Sequence, residues 1–381
     1  MDSTQLLRDR RDEYVFLFSD CVPVEGAAAS AIYDLTRKHI STFPSAYFPF
    51  FALFRARRLG EIVDALSPEE HDDFVAFLDF LLANEYVAVV ADAAAFPEIS
   101  RAWDAPCAIH NAIVDVRGQH HDYRKIVAEL SGLGCQHLQV RGYAGVFGLA
   151  ELDELARLCR GSSIQTLEAI LAHEPGRSDD DYVAVVGAHR LITGLTVHSA
   201  PQERRLAVDY GARGDAATLL TLEISMTVKP LESALDCGQI GKRQLLPPTT
   251  PTFNELRQFS GCLNRKLAID ERGEVRNCPA MRGSFGDHRA VSLAQVVADE
   301  AFRRVWAARN DEIEVCRDCP YRYACTGCRA LLADPAVEDS KPLKCGYDPY
   351  TDTWADWQTR AGAAAALAHY QARVHLPIVR G

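Results

Sequence analysis

The sequence predicts an α/β protein. A partial βα barrel or open parallel sheet occupies the middle of the chain, with a small mixed domain before it and a cysteine-rich domain after it. Two observations lead there. Between residues 106 and 226, strand-length apolar runs alternate with segments of helical period, the pattern of parallel βα units. After residue 260 the apolar runs thin out and seven of the 12 cysteines follow. The middle segment, residues 101–232, is too short for eight full units, which need roughly 250 residues.

The elements follow in order. In residues 1–100, RDEYVFLFSD and CVPVEG read as short strands broken at Ser19-Asp20, and AAASAIYDLTRKH reads as a helix. SPEEHDDFVAFLDFLLANEYVAVV predicts a helix with Ser67 as cap, Pro68 at the first position and Glu70 closing a capping box. Phe74, Phe77, Leu78, Leu81 and Leu82 form its apolar stripe, and a strand resumes at Tyr86. The order fits a winged-helix-like module or a helical cap on the next domain. In the middle segment, AIHNAIVDVR, CQHLQVRG, IQTLEAILAH, LITGLTVHS and ATLLTLEISMTV are strands. Helices over HHDYRKIVAELSGLG, GLAELDELARLCRG and DDDYVAVVGAHR separate the first four. Residues 233–260 are a Pro-rich connector running into a short helix. VSLAQVVADEAFRRVWAARND predicts one amphipathic helix, buried through Val296, Phe302, Val305 and Trp306. Residues 351–381 end in an Ala-rich closing helix.

Composition narrows the function. The chain has 381 residues, enough for two or three domains with cores. A formal net charge of −11 argues against a nucleic-acid surface. The charged start MDSTQLLRDRRDEY has no apolar h-region, and no long apolar run occurs. The sequence therefore predicts neither secretion nor a membrane span, but a cytoplasmic protein. Structural disulfides are rare in that compartment, so the cysteines need another account.

Cys21, Cys107, Cys135 and Cys159 sit among apolar neighbours and read as core. The knuckles Cys316-x2-Cys319 and Cys325-x2-Cys328 are different, because Arg317, Asp318, Tyr321 and Arg322 lie between their thiols. Four thiolates at this spacing surround one tetrahedral zinc or join in holding an iron–sulfur cluster. Zinc on these four would leave Cys262, Cys278 and Cys345 unexplained, so seven cysteines fit two sites better than one.

The order Cys262-x10-Gly273-x4-Cys278, a gap, Cys316-x2-Cys319-x5-Cys325-x2-Cys328, a gap and Cys345 resembles the seven-cysteine SPASM domain of radical-SAM peptide-modifying enzymes. The family usually has three residues in the interval where this chain has Thr326 and Gly327. Longer stretches, GCLNRKLAIDERGEVRNCPAM, CRDCPYRYACTGCRA and KPLKCGYDPYTDTW, resemble the SPASM-domain peptide maturases of grasp-with-SPASM systems. The resemblance implies a radical-SAM-type core, residues 261–350 as the SPASM domain, and an N-terminal peptide-recognition domain. It implies two [4Fe–4S] clusters. Cys316, Cys319, Cys325 and Cys345 would hold the first, and Cys262, Cys278 and Cys328 the second, with Cys237 a candidate fourth ligand. The implied partners are a ribosomally made precursor peptide and an ATP-grasp ligase that cross-links it.

One expected motif is missing. A radical-SAM enzyme carries CxxxCxxC after its first barrel strand, whereas here Gly118, Gln119, His120, His121 and Asp122 follow AIHNAIVDVR. Cleavage of S-adenosylmethionine is not expected. His110, His120 and His121 with Asp115 or Asp122 are a candidate mixed metal site, or alternatively a solvated helix cap. His198 and Arg141 are candidate rim residues, alternatively structural, and Glu168 with Glu174 is a weak acid–base pair. No catalytic constellation stands out, and ATP chemistry would belong to the partner ligase.

Overall fold

The computed structural model describes residues 3–213 and 216–374. The last seven residues of the predicted closing segment lie outside them.

The N-terminal part runs α1 (Ser3–Asp9), β1 (Tyr14–Leu17), β2 (Cys21–Val24), β3 (Ala29–Asp34), β4 (His39–Pro44), α2 (Leu59–Ala65), α3 (Pro68–Ala83) and β5 (Val87–Val90). Helix α3 starts where its caps dictate. Ser67 Oγ accepts the Glu70 N–H and the Glu70 carboxylate accepts the Ser67 N–H at 2.9 Å, a box worth about 1 kcal/mol. Its buried face, Phe74, Phe77, Leu78 and Leu81, packs on Val15 of β1 and Val87 of β5. The helix expected over AAASAIYDLTRKH is corrected: this stretch is the β3–β4 hairpin, turned through Lys38 at φ +54°. Every residue of β3 is buried, because β3 is the central strand of the sheet β2-β3-β4. A strand covered on both faces loses its alternation and imitates a helical run.

The middle of the chain is one eight-stranded sheet. Its elements are β6 (Asn111–Val116), α4 (Tyr123–Gly132), β7 (His137–Gly142), α5 (Leu149–Cys159), β8 (Thr166–Ala172), α6 (Asp179–Ala188), β9 (Ile192–His198), β10 (Arg204–Arg213) and β11 (Ala216–Met226). The C-terminal part follows: α7 (Thr250–Leu256), β12 (Lys266–Ile269), β13 (Val275–Arg276), α8 (Leu293–Ala298), α9 (Glu300–Arg303), β14 (Tyr347–Asp348), β15 (Thr353–Trp354) and α10 (Ala363–Val374). The sheet order is β10-β11-β9-β8-β7-β6-β12-β13. Strands β11 through β12 are parallel, with antiparallel β10 and β13 at the edges. Strand β10 is charged at its start, as edge strands often are, and the sequence reading placed no strand there. Nor did that reading anticipate β12, which brings the cysteine-rich segment into register with β6, Lys266 beside Asn111.

Consecutive strands β6 to β9 are neighbours, so right-handed crossovers place α4, α5 and α6 on one face. That face buries Val114, Val140, Leu152 and Leu155. Asp115 and Arg141 point to the other face by alternation. The single helix expected over 291–311 breaks in two at Asp299, whose backbone is extended and whose carboxylate caps the Ala301 N–H. The closing helix α10 does form, burying Ala363, Ala366 and Tyr370 against Leu331 and Leu343. The four scattered cysteines are buried.

At the C-terminal ends of β6 and β7, Arg141 makes a two-pronged pair with Asp115 at 2.7 and 2.8 Å. Tyr143 donates its hydroxyl to the same carboxylate. Burial pushes the Asp115 carboxyl up, against the opposing pull of Arg141. Replacing Arg141 by Met should leave a buried unpaired carboxylate and cost about 3–5 kcal/mol. Urea unfolding of Arg141→Met, with partial recovery in the double variant Arg141→Met/Asp115→Asn, checks this.

Candidate metal centre

The seven C-terminal cysteines and Cys237 fall into two groups. Cys316, Cys319, Cys325 and Cys345 line a single cavity, closed by Ile240, Tyr321, Tyr347 and Trp354. Backbone builds this group. Val315 turns the chain at φ +67° into the short 3-10 turn Cys316–Asp318. The Tyr321 and Gly327 N–H groups donate to the Cys319 and Cys325 sulfurs, each at 3.4 Å. Cys345 is fixed by a parallel bridge to Ile240.

The second group gathers around the β12–β13 hairpin. Cys262 precedes β12 and Cys278 follows β13. The Cys278 thiol feels Cys262 and Cys328, and Cys328 in turn feels Cys262 and Cys237. Gly238, at φ +81°, lets the connector approach: a Cβ there would stand 3.1 Å from the Cys328 sulfur. Lys344 anchors the same segment by donating to the Leu235 and Cys237 carbonyls, the latter at 2.9 Å. Cys237 is exposed, whereas Cys328 is buried.

The short Cys325-x2-Cys328 interval still divides its two thiols between the groups. Gly327 makes the turn at φ +59°, so close to Asn310 that a Cβ would fall 2.1 Å from its Oδ1. Asn310 Nδ2 ties that turn down through the Arg322 and Cys325 carbonyls at 2.8 and 3.1 Å.

The thiols resist ionisation. Burial pushes Cys316, Cys325 and Cys278 up to about 12 and Cys328 to about 11, with neighbouring thiolates adding to the shift. Cys319 is raised as well, again first by burial. A bound metal removes this penalty by taking the charge of each thiolate.

Among the described residues, no group of three or more His, Cys, Asp or Glu is placed to hold one metal ion. A single zinc needs its sulfurs about 2.3 Å from one point, whereas in a multi-iron group each thiolate takes its own iron. Four thiols around one cavity fit such a group at the first position. At the second, Cys262, Cys278 and Cys328 lie close enough to act on one another, a donor set of the same chemistry.

The other candidates have structural partners. His121 Nε2 donates to the Asp115 carbonyl at 2.8 Å, and Asp122 caps α4 through the Lys125 N–H. His120 is exposed, and His110 lies against the His137 ring. His198 Nε2 donates to the Gly142 carbonyl at 2.8 Å. Glu168 accepts from Gln139, and Glu174 accepts the Leu149 N–H. The sequence reading missed Lys266, whose Nζ lies 3.4 Å from the Cys262 sulfur. Its signal was a lone lysine opening the otherwise apolar KLAI, four residues after a candidate ligand.

A family model described as SPASM, an iron–sulfur cluster-binding domain, matches residues 262–320. The chain thus carries a SPASM-type domain in its C-terminal region, and the matched span includes Cys262, Cys278, Cys316 and Cys319. No curated protein matches the chain.

Two predictions follow from the geometry. Gly327→Ala should lower stability by about 1–3 kcal/mol and reduce iron content, measured by thermal unfolding and iron analysis. The second concerns pH. Unfolded thiols ionise near 8.5, whereas the buried ones wait until about 11–12. Their contribution is complete below about pH 8.5 and is lost as pH rises toward 12, because the unfolded chain then binds fewer protons. Metal-free protein should lose more stability over that window than loaded protein, in which these thiols carry no protons; parallel denaturant curves check it.

Proposed function

We propose that this chain is a maturation partner in the biosynthesis of a ribosomally made peptide. It binds the precursor through its N-terminal domain, carries two [4Fe–4S] clusters, and presents the peptide to an ATP-grasp ligase that cross-links it. The observation that carries this reading is a SPASM-type cysteine set beside a sheet whose first parallel strand, β6, is followed by a cysteine-free segment. Within 117–122, His121 bonds the Asp115 carbonyl and Asp122 caps α4, and the segment offers no cysteine to hold a third cluster for cleaving S-adenosylmethionine. In this reading the protein works in the cytoplasm, where its thiols stay reduced. Among the described residues, no helix is long and apolar enough to cross a membrane.

The N-terminal part supports peptide docking. Strands β2 and β4 are the edges of their three-stranded sheet, and an edge offers main-chain hydrogen bonds to an added strand. Beside β2 lies a groove of about 250 Å³, lined by Phe18, Val22, Phe51, Phe54 and Arg55. Apolar side chains of a leader would fill it, and Arg55, now paired with exposed Glu98 at 3.2 Å, would meet an acidic leader residue. The same part touches the first thiol group: Tyr33 of β3 donates to the Pro320 carbonyl at 2.7 Å. A docked leader would therefore sit close to the cysteine-rich domain.

A second reading makes the chain a metalloenzyme acting on the precursor. It is favoured by one observation, a cleft of about 660 Å³ flanking exposed Cys237 and lined by Arg117, Asp236, Gln239, Glu271 and Trp357. When bound, a cluster supplies electron transfer or, with one iron open, a Lewis-acid position. The chain's own residues would hold the peptide in the cleft, with Arg117 fixed by Glu271 at 2.6 Å.

Four measurements test these readings. Anaerobically reconstituted protein should hold iron and sulfide for two clusters. Cys319→Ala or Cys325→Ala should lose one cluster, while Cys159→Ala keeps both; unchanged iron in the first two would refute the ligand assignment. Reduced protein with S-adenosylmethionine should yield no 5′-deoxyadenosine. Calorimetric titration with the precursor should show at least tenfold weaker binding to Arg55→Glu/Val22→Asp. Ligase activity on the precursor that ignores added protein would sink the presenting role and favour the metalloenzyme.

A further inference from the structure

Lys266 opens β12, four residues after Cys262, and is half-buried. Its ammonium donates to the Cys262 sulfur at 3.4 Å. Among the described residues it pairs with no carboxylate, although 21 ion pairs are formed elsewhere. A cation away from water without an anion is costly. The group it does meet is a sulfur, that of Cys262 at the mouth of the same hairpin.

The first thiol group is built differently. Among the described residues, its sulfurs receive backbone N–H bonds, from Tyr321 and Gly327. Two cations that act on Cys316, Arg329 and Lys341, donate to carbonyls instead, Arg329 to Ser340 and Lys341 to Tyr347 at 2.6 and 2.9 Å. An ammonium-to-sulfur contact thus distinguishes the second group from the first.

We propose that Lys266 is the residue that sets the reduction potential of the second cluster, through its charged N–H···S bond to Cys262. The proposal rests on the two-cluster reading. A thiolate-ligated cluster is anionic and gains a further negative charge on reduction. Hydrogen bonds to its sulfurs and the local net charge are among the factors that fix its potential. A fixed positive charge stabilises the reduced state more than the oxidised one, so Lys266 raises the potential. It touches a ligand rather than a substrate, and so acts as a positioning and tuning residue. The cluster so tuned is the one nearer exposed Cys237.

The test is a potentiometric titration followed by electron paramagnetic resonance on full-length, anaerobically reconstituted protein. Wild type, Lys266→Met, Lys266→Arg and Lys341→Met are compared, with iron and sulfide measured on every sample. Lys266→Met should lower one midpoint potential and leave the other in place. Lys266→Arg should stay near wild type, and Lys341→Met should not reproduce the shift. Full iron content with both midpoints unmoved in Lys266→Met would overturn the proposal while leaving the two-cluster reading intact. If Lys266→Met loses one cluster, Lys266→Arg decides. Recovery of iron and potential by the arginine supports an electrostatic role, and loss in both variants overturns it in favour of a packing role. Wild-type protein that holds no iron–sulfur cluster would sink the two-cluster reading itself, and the proposal with it.

Discussion

The constraint on which the C-terminal half depends is the desolvation of its thiols. Burial and neighbouring thiolates push four of them up to about 11–12 and raise Cys319 as well. Segments far apart in the chain have to be folded together to bring them that close. Ile240 bridges to Cys345, Lys344 holds the Cys237 carbonyl, and Asn310 locks the turn at Gly327. Few apolar side chains take part in these contacts. A metal group that takes the charge of the thiolates converts their convergence from an electrostatic cost into folding free energy.

The same constraint ties the cysteine-rich region to the rest of the molecule. The hairpin carrying Cys262 and Cys278 is not an appendage, because β12 completes the parallel sheet next to β6. On the other side, Tyr33, Phe253 and Tyr323 form a shared aromatic core between the N-terminal sheet and the first thiol group. One thiol group is thus mounted on the central sheet and the other against the domain proposed to receive the peptide.

The C-terminal ends of β6 and β7 carry a closed polar network in place of a third cysteine set. Arg141, Asp115 and Tyr143 satisfy one another, and His121 is committed to the Asp115 carbonyl. Arg141 also feels Cys237. The buried pair therefore lies between the strand ends and the second thiol group, where a change in either would be felt by the other.

The sequence by itself determined the elements whose signals are local. Ser67 and Glu70 start α3, Gly134 at φ +74° ends the turn after α4, and the alternating strands and helices from β6 to β9 follow their periodicities. The two knuckles were likewise legible, because metal-ligand spacing is a short-range property; the division of their cysteines between two sites was implied only by the family resemblance. Tertiary structure decided what depends on non-local partners. The segment AAASAIYDLTRKH became a hairpin because β2 and β4 pair with both edges of β3 and separate clusters bury Ile32 on one face and Ala31 and Tyr33 on the other, which overrides the helical preference of its alanines. Strands β10 and β12 appeared because the sheet supplied edges for them to pair with. Cys237 reached the second thiol group, and Lys266 reached Cys262, only through the fold of the connector and the hairpin. Periodicity shows which face of an element is apolar; it does not show what that face will meet.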